Sequence, residues 1–167
     1  PASFVGALAP IRKLFADAPL AVERKYTAGT FSFNSGDGRC PECGGNGFEH
    51  VEMQFLSDVY LRCPACDGRR YRNEVLEVRI GGADERSRSI ADVLEMTVAE
   101  AIAFFAAEPA VLRGLEPLAA VGLDYLALGQ PVPTLSGGES QRLKLAAHLA
   151  EARGRRSGTG HKLFLFD

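Results

Sequence analysis

The sequence predicts an α+β or α/β chain: a mostly helical body with an inserted β-hairpin module closed by a metal ion. Three observations lead there. All four cysteines fall into two C-x2-C pairs, Cys40-Pro-Glu-Cys43 and Cys63-Pro-Ala-Cys66, with 19 residues between them. Residues 89–121 hold successive segments whose apolar residues recur at helical spacing. Finally, Gly137-Gly138 opens a strongly helical stretch to Arg153, and Lys162-Leu-Phe-Leu-Phe-Asp167 follows as an apolar strand candidate ending in an acid.

A chain of 167 residues can bury one respectable core and a small satellite module. Its 46% apolar and 24% charged content is ordinary for a globular protein. A net charge of −2 argues against a uniformly basic nucleic-acid binder but leaves room for a local basic patch. No signal peptide and no bilayer-length apolar run is visible, so a cytoplasmic protein is expected. The chain begins at Pro1 without a Met and stops on a strand, so it is expected to be part of something larger. The expected segments are 1–34, a module at 35–73, a strand and helical platform at 74–133, and 134–167.

Taken in order, Val5 to Phe15 reads as a helix with Arg12 and Lys13 outward. A turn-rich run through Pro19 follows. Thr30-Phe-Ser-Phe-Asn34 alternates like a half-buried strand, and Ser35-Gly-Asp-Gly38 turns the chain into the cysteine module. The spacing of Cys40, Cys43, Cys63 and Cys66 fits a zinc ribbon, in which tetrahedral Zn²⁺ takes four thiolates from two tight turns. Disulfides would need an oxidising compartment, and two matched pairs with glycine tails do not suit a redox C-x-x-C. His50 is a strand residue on this reading. Between the pairs, Val51, Met53 and Phe55 alternate with Glu52 and Gln54, and Val59-Tyr-Leu-Arg62 returns. That is a β-hairpin with a cysteine knuckle at each foot. Arg69, Arg70 and Arg72, with Tyr71 among them, are candidates for phosphate contact; the alternative is a solvated surface with ion pairs to Glu74, Glu77 or the carboxylates of the hairpin.

Glu74 to Ile80 alternates as a strand, and Ala83 to Arg88 reads as an exposed turn. Ser89 opens a short helix to Leu94. Thr97-Val-Ala-Glu100 is a capping box for a helix from Val98 to Ala107. Pro109 ends that helix, and Ala110 to Val121 forms another with Gly122 at its C-terminal cap. These helices carry no catalytic constellation and read as a packing platform.

The last region carries chemistry. Pro131 and Pro133 stiffen the approach to Leu135-Ser-Gly-Gly-Glu-Ser-Gln-Arg142. Unpaired N–H groups and a positive dipole at a helix start favour a phosphate oxygen, and Ser136 adds a hydroxyl; a Ser-capped helix after a glycine turn is the plainer reading. L-S-G-G-E-x-Q-R resembles the signature motif of ABC-type ATPases, and Lys162 to Asp167 resembles their Walker B strand. Arg153 to Lys162 is Gly-rich and basic, but no G-x-x-x-x-G-K-[ST] occurs in the chain.

The order of zinc module, helical platform, signature and Walker B-like strand resembles the UvrA family of DNA-binding ATPases of nucleotide excision repair. Phe31-Ser-Phe-Asn34, Val51 to Tyr60, Gly68-Arg-Arg-Tyr71 and Val121 to Leu126 carry the same resemblance, which covers nearly the whole chain. It points to the C-terminal nucleotide-binding half and includes drug-resistance paralogues. It implies that Ser136, Gly137 and Gly138 contact the γ-phosphate of ATP held by a second nucleotide-binding domain. Gln141 and Arg142 would support that loop, Glu139 belongs to the same cofactor-binding set, and Asp167 would bind Mg²⁺. It further implies damaged double-stranded DNA near Arg69, Arg70 and Arg72, a homodimer, and UvrB as a possible partner. Lacking Walker A, the chain alone is expected not to hydrolyse ATP. A DnaJ-type zinc module is the alternative, since Cys40 to Gly47 fits C-x-x-C-x-G-x-G. The second knuckle breaks that pattern, and the signature has no place in it. An ABC-type ATPase of transport or chromosome maintenance is a further alternative, against which the zinc hairpin upstream of the signature argues.

Overall fold

The computed structural model describes residues 1–51, 59–84 and 86–154. It divides into two compact units. One comprises Arg12–Gly81 and Ser87–Asp92; the other comprises Pro1–Ile11, Gly82–Arg86 and the chain from Val93 on. Among the described residues, no helix is long and apolar enough to cross a membrane.

The elements in chain order begin with helices α1 (Leu8–Ala16) and α2 (Pro19–Glu23). In the first unit, Phe15 and Phe31 pack with ring centroids 5.4 Å apart, and Tyr26 meets Phe31 edge-on at 6.3 Å. The Tyr71 hydroxyl donates to the Phe31 carbonyl at 2.9 Å. Burial pushes the Tyr71 hydroxyl pKa upward, which keeps the phenol protonated as that donor.

Thr30 to Asn34 is not a strand. Thr30 N–H donates to the Thr27 carbonyl, Ser32 N–H to Gly29 and Gly36 N–H to Ser32, so the segment is a chain of turns. Thr30, Phe31 and Ser32 are all buried, which a two-residue period cannot produce. The hairpin consists of β1 (Phe48–Val51) and β2 (Val59–Arg62), antiparallel with Phe48 opposite Arg62 and Val51 opposite Val59. Phe48 and Tyr60 brace it edge to face at 5.1 Å. Met53, Phe55, Glu52 and Gln54 lie outside the described residues.

Glu74 to Ile80 also departs from its expected strand. Val75 and Leu76 N–H groups both return to the Arg72 carbonyl, closing a single turn, α3 (Asn73–Leu76). Val75 and Leu76 on it and Val78 after it are buried. Only Ile80–Gly81 (β3) remains extended, paired with Ser87–Arg88 (β4). Ser89 and Asp92 then exchange hydrogen bonds, Asp92 N–H to Ser89 Oγ at 3.2 Å and Ser89 N–H to Asp92 Oδ2 at 2.8 Å, at the start of α4 (Ile90–Glu95).

In the second unit, α5 (Val98–Phe104) starts on the expected capping box: Glu100 N–H donates to Thr97 Oγ1, and Thr97 N–H to Glu100 Oε2. It ends before the predicted Ala107. Helix α6 (Pro109–Ala120) begins with its proline in the first turn, where no N–H is needed. Gly122, at φ +73°, ends it: Leu123 N–H returns to the Leu118 carbonyl and Gly122 N–H to Ala119. That pattern is a Schellman motif, and the fully buried Leu118 and Leu123 supply its apolar contact. A 3₁₀ turn (Val132–Thr134) leads into α7 (Gly137–Gly154). Helix α7 packs on α6 and buries Leu143 and Ala146.

Candidate functional site

Two sites emerge, one in each unit. The first is the cysteine cluster. Cys40, Cys43, Cys63 and Cys66 are all buried, and their Sγ atoms lie within 4.8 Å of one another. Cys40 to Cys63 is 4.0 Å and Cys43 to Cys66 is 3.7 Å. A disulfide needs about 2.05 Å. Four thiolates around Zn²⁺ at about 2.3 Å stand about 3.8 Å apart, so these side chains fit a tetrahedral metal ion. Backbone N–H groups support the sulfurs: Gly47 donates to Cys43 at 3.2 Å and Arg70 to Cys66 at 3.4 Å. Burial pushes the Cys66 thiol up to about 12, while the Cys66 backbone N–H pulls Cys63 down. A dication among the sulfurs favours thiolate at all four.

The arginines beside the cluster do not act as one group. Arg70 has φ +71° and lays its guanidinium over the Phe33 ring, 4.9 Å from the centroid. Its own pKa is lowered by burial. Arg69 and Arg72 are exposed. Arg24 pairs with the Glu77 carboxylate, one of the partners the alternative reading gave to these arginines, and also donates to the Glu74 carbonyl. Arg62 lies 3.8 Å from Asp67, with both side chains largely in solvent.

The second site is the start of α7. Ser136 caps it: Glu139 N–H donates to Ser136 Oγ at 3.3 Å, while Ser136 N–H and Oγ donate to Glu139 Oε2 at 2.7 and 2.8 Å. Ser136, Gly137 and Gly138 are exposed, and a Cβ added to either glycine would meet nothing within 4 Å. Neither glycine has positive φ. Glycine within a helix costs up to about 1 kcal/mol against alanine. Nothing in the packing of the described residues demands these two.

Sequence reasoning named Arg142 here but missed Tyr125. The Tyr125 hydroxyl donates to Glu139 Oε1 at 2.6 Å. Arg142 donates through Nη1 to the Gly122 and Val121 carbonyls at 3.0 and 3.3 Å, and its Nη2 lies 3.5 Å from the Tyr125 oxygen. Arg142 thus places its charge on the negative end of α6. Gln141 is exposed beside it. The Ser136-x-x-Glu139 spacing, the same as at Thr97, could have revealed the box; nothing local marks Tyr125. Asp167 and its apolar run lie outside the described residues.

A four-thiolate module in one unit and a signature-type helix start in the other define an ABC-type ATPase segment with a zinc-ribbon-like insertion. No protein-family profile matches the chain. It is 49% identical over all 167 residues to UvrABC system protein A of Thermus thermophilus, and 50% to that of Methanothermobacter thermautotrophicus. It spans 16% of the length of each. In structure it resembles UvrA2 from Deinococcus radiodurans, with a TM-score of 0.82 and 52% identity over 89% of this chain and 17% of that one. Along its whole length, the chain is similar to UvrABC system protein A.

Proposed function

We propose that this chain supplies two working parts of a DNA-damage-recognition ATPase of nucleotide excision repair. One is the signature half of a composite ATP site, and the other is a zinc-held hairpin that couples nucleotide state to DNA. The observation that carries this reading is the exposed Ser136-Gly137-Gly138 helix start, set in a chain 49% identical end to end to UvrABC system protein A. Ser136 and the first N–H groups of α7 meet the γ-phosphate of an ATP held by a second nucleotide-binding domain. Open space at both glycines lets that phosphate reach the backbone. Gln141 and Arg142 brace the loop, Arg142 by fixing α7 to the end of α6. Asp167 binds the accompanying Mg²⁺. With no Walker A motif of its own, the chain alone gives no turnover.

Zn²⁺, bound by Cys40, Cys43, Cys63 and Cys66, cross-links a hairpin too small to hold itself together. Arg69 and Arg72 contact duplex phosphates, while Arg70 remains stacked inside the module. The full-length protein acts as a cytoplasmic homodimer on damaged double-stranded DNA, with UvrB as the partner to test.

Gly138→Asp in the full-length protein tests the ATP site. The added side chain has room, and an acid in the first turn suits the helix dipole, so the protein folds. A carboxylate facing the phosphate should lower ATP turnover about 100-fold or more. Wild-type turnover in a folded Gly138→Asp protein would refute the reading.

A further inference from the structure

We propose that Glu139 is the resident anion of the Ser136 site and that Tyr125 is the positioning residue that holds it there. Nucleotide then enters by displacing the carboxylate. This rests on the ATP reading above and adds to it a mechanism of entry. Oε2 of Glu139 takes both the Ser136 N–H, at 2.7 Å, and the Ser136 hydroxyl, at 2.8 Å. These are donors that a phosphate oxygen would use at this helix start. Each carries one proton, so the carboxylate and a phosphate cannot both hold them.

The clamp on the other oxygen comes from outside the helix. Tyr125, in the loop after α6, donates to Glu139 Oε1 at 2.6 Å. Arg142 stands 3.5 Å beyond the same hydroxyl and is itself fixed to the Val121 and Gly122 carbonyls. A local helix cap needs only Ser136 and Glu139, so the tyrosine adds a long-range constraint on where the carboxylate sits. The Tyr125 hydroxyl, and then the Ser136 donors, hold the Glu139 carboxyl below its usual range, so it is charged at neutral pH. The same contact raises Tyr125, which stays a donor. An incoming phosphate must break both bonds to Oε2, and Tyr125 determines how readily that oxygen swings away.

Steady-state ATP turnover by the full-length protein tests this. Glu139→Gln keeps the capping geometry but removes the charge, and should lower the KM for ATP about fivefold. Tyr125→Phe frees the carboxylate and should lower KM about threefold. The double variant should match Glu139→Gln alone, because Tyr125 acts through Glu139. A tyrosine with a merely structural role would change thermal stability and leave KM where it was. An unchanged or raised KM in Glu139→Gln overturns the proposal, as does a Tyr125→Phe effect of equal size in both backgrounds. Ser136→Ala separates the two levels of the argument. If turnover depends on Ser136 but KM ignores Glu139, the resident-anion proposal alone fails. If turnover ignores Ser136, the ATP reading fails and takes the proposal with it.

Discussion

The two cysteine knuckles are built to one plan from different residues. Cys40, Cys43 and Gly47 correspond to Cys63, Cys66 and Arg70. In each knuckle the residue four after the second cysteine donates its N–H to that sulfur. The first knuckle reaches its left-handed turns with Gly44, Gly45 and Gly47, at φ +60°, +93° and +81°. The second uses Asp67, Gly68 and Arg70, at +49°, +76° and +71°. A non-glycine residue in that region costs roughly 1–2 kcal/mol. Crowding explains part of the difference. A Cβ on Gly45 would sit 2.0 Å from the Phe33 carbonyl oxygen, and one on Gly47 2.8 Å from that of Gly68. On Gly68 the nearest atom would be 3.7 Å away. The second knuckle has room for side chains, and Arg70 uses it to cover Phe33.

The largest effect expected from this comparison is removal of what the knuckles share. Cys63→Ser, or a strong chelator, should release one equivalent of zinc and unfold the module, since structural zinc contributes on the order of 10 kcal/mol. Zinc content and circular dichroism read it. An intact hairpin without metal would contradict the ribbon. Next, the knuckles should separate under alanine. Gly45→Ala meets backbone and should lower the melting temperature far more than Gly68→Ala, which carries only its φ strain of roughly 1 kcal/mol. Equal shifts would mean that crowding is not what distinguishes them.

The smallest effect concerns the arginines. Arg70→Gly relieves the φ strain and loses a cation–π contact worth about 0.5–1 kcal/mol, so stability should barely move. Arg69→Ala and Arg72→Ala should each reduce the salt dependence of DNA binding by about one counterion. Arg70→Gly should leave that slope unchanged; a loss equal to that of Arg69→Ala would place all three guanidiniums on the DNA.

The cysteine module, the capping box at Thr97 and the glycine end of α6 were legible in sequence because each is decided within a few residues. The misassigned strands were not. Thr30 to Asn34 and Glu74 to Ile80 both alternate, but alternation does not reveal where a backbone N–H will bond. The Thr27 and Gly29 carbonyls captured the first segment, and the Arg72 carbonyl captured the second. The arginine run looked uniform because the sequence does not carry the φ that turns Arg70 inward. At the signature, the motif was plain but its occupant was not, because Tyr125 reaches Glu139 only through the packing of α6 on α7.

The knuckles also exchange backbone bonds: Cys40 N–H donates to the Arg70 carbonyl at 2.8 Å, and Cys63 N–H to that of Gly47 at 3.1 Å. Each loop's first residue is therefore held by the other loop's last. The bonds within each knuckle are thus supplemented by bonds from the other. An ion held by all four sulfurs would therefore sit between two loops that already fix each other's ends, so its loss should loosen both together.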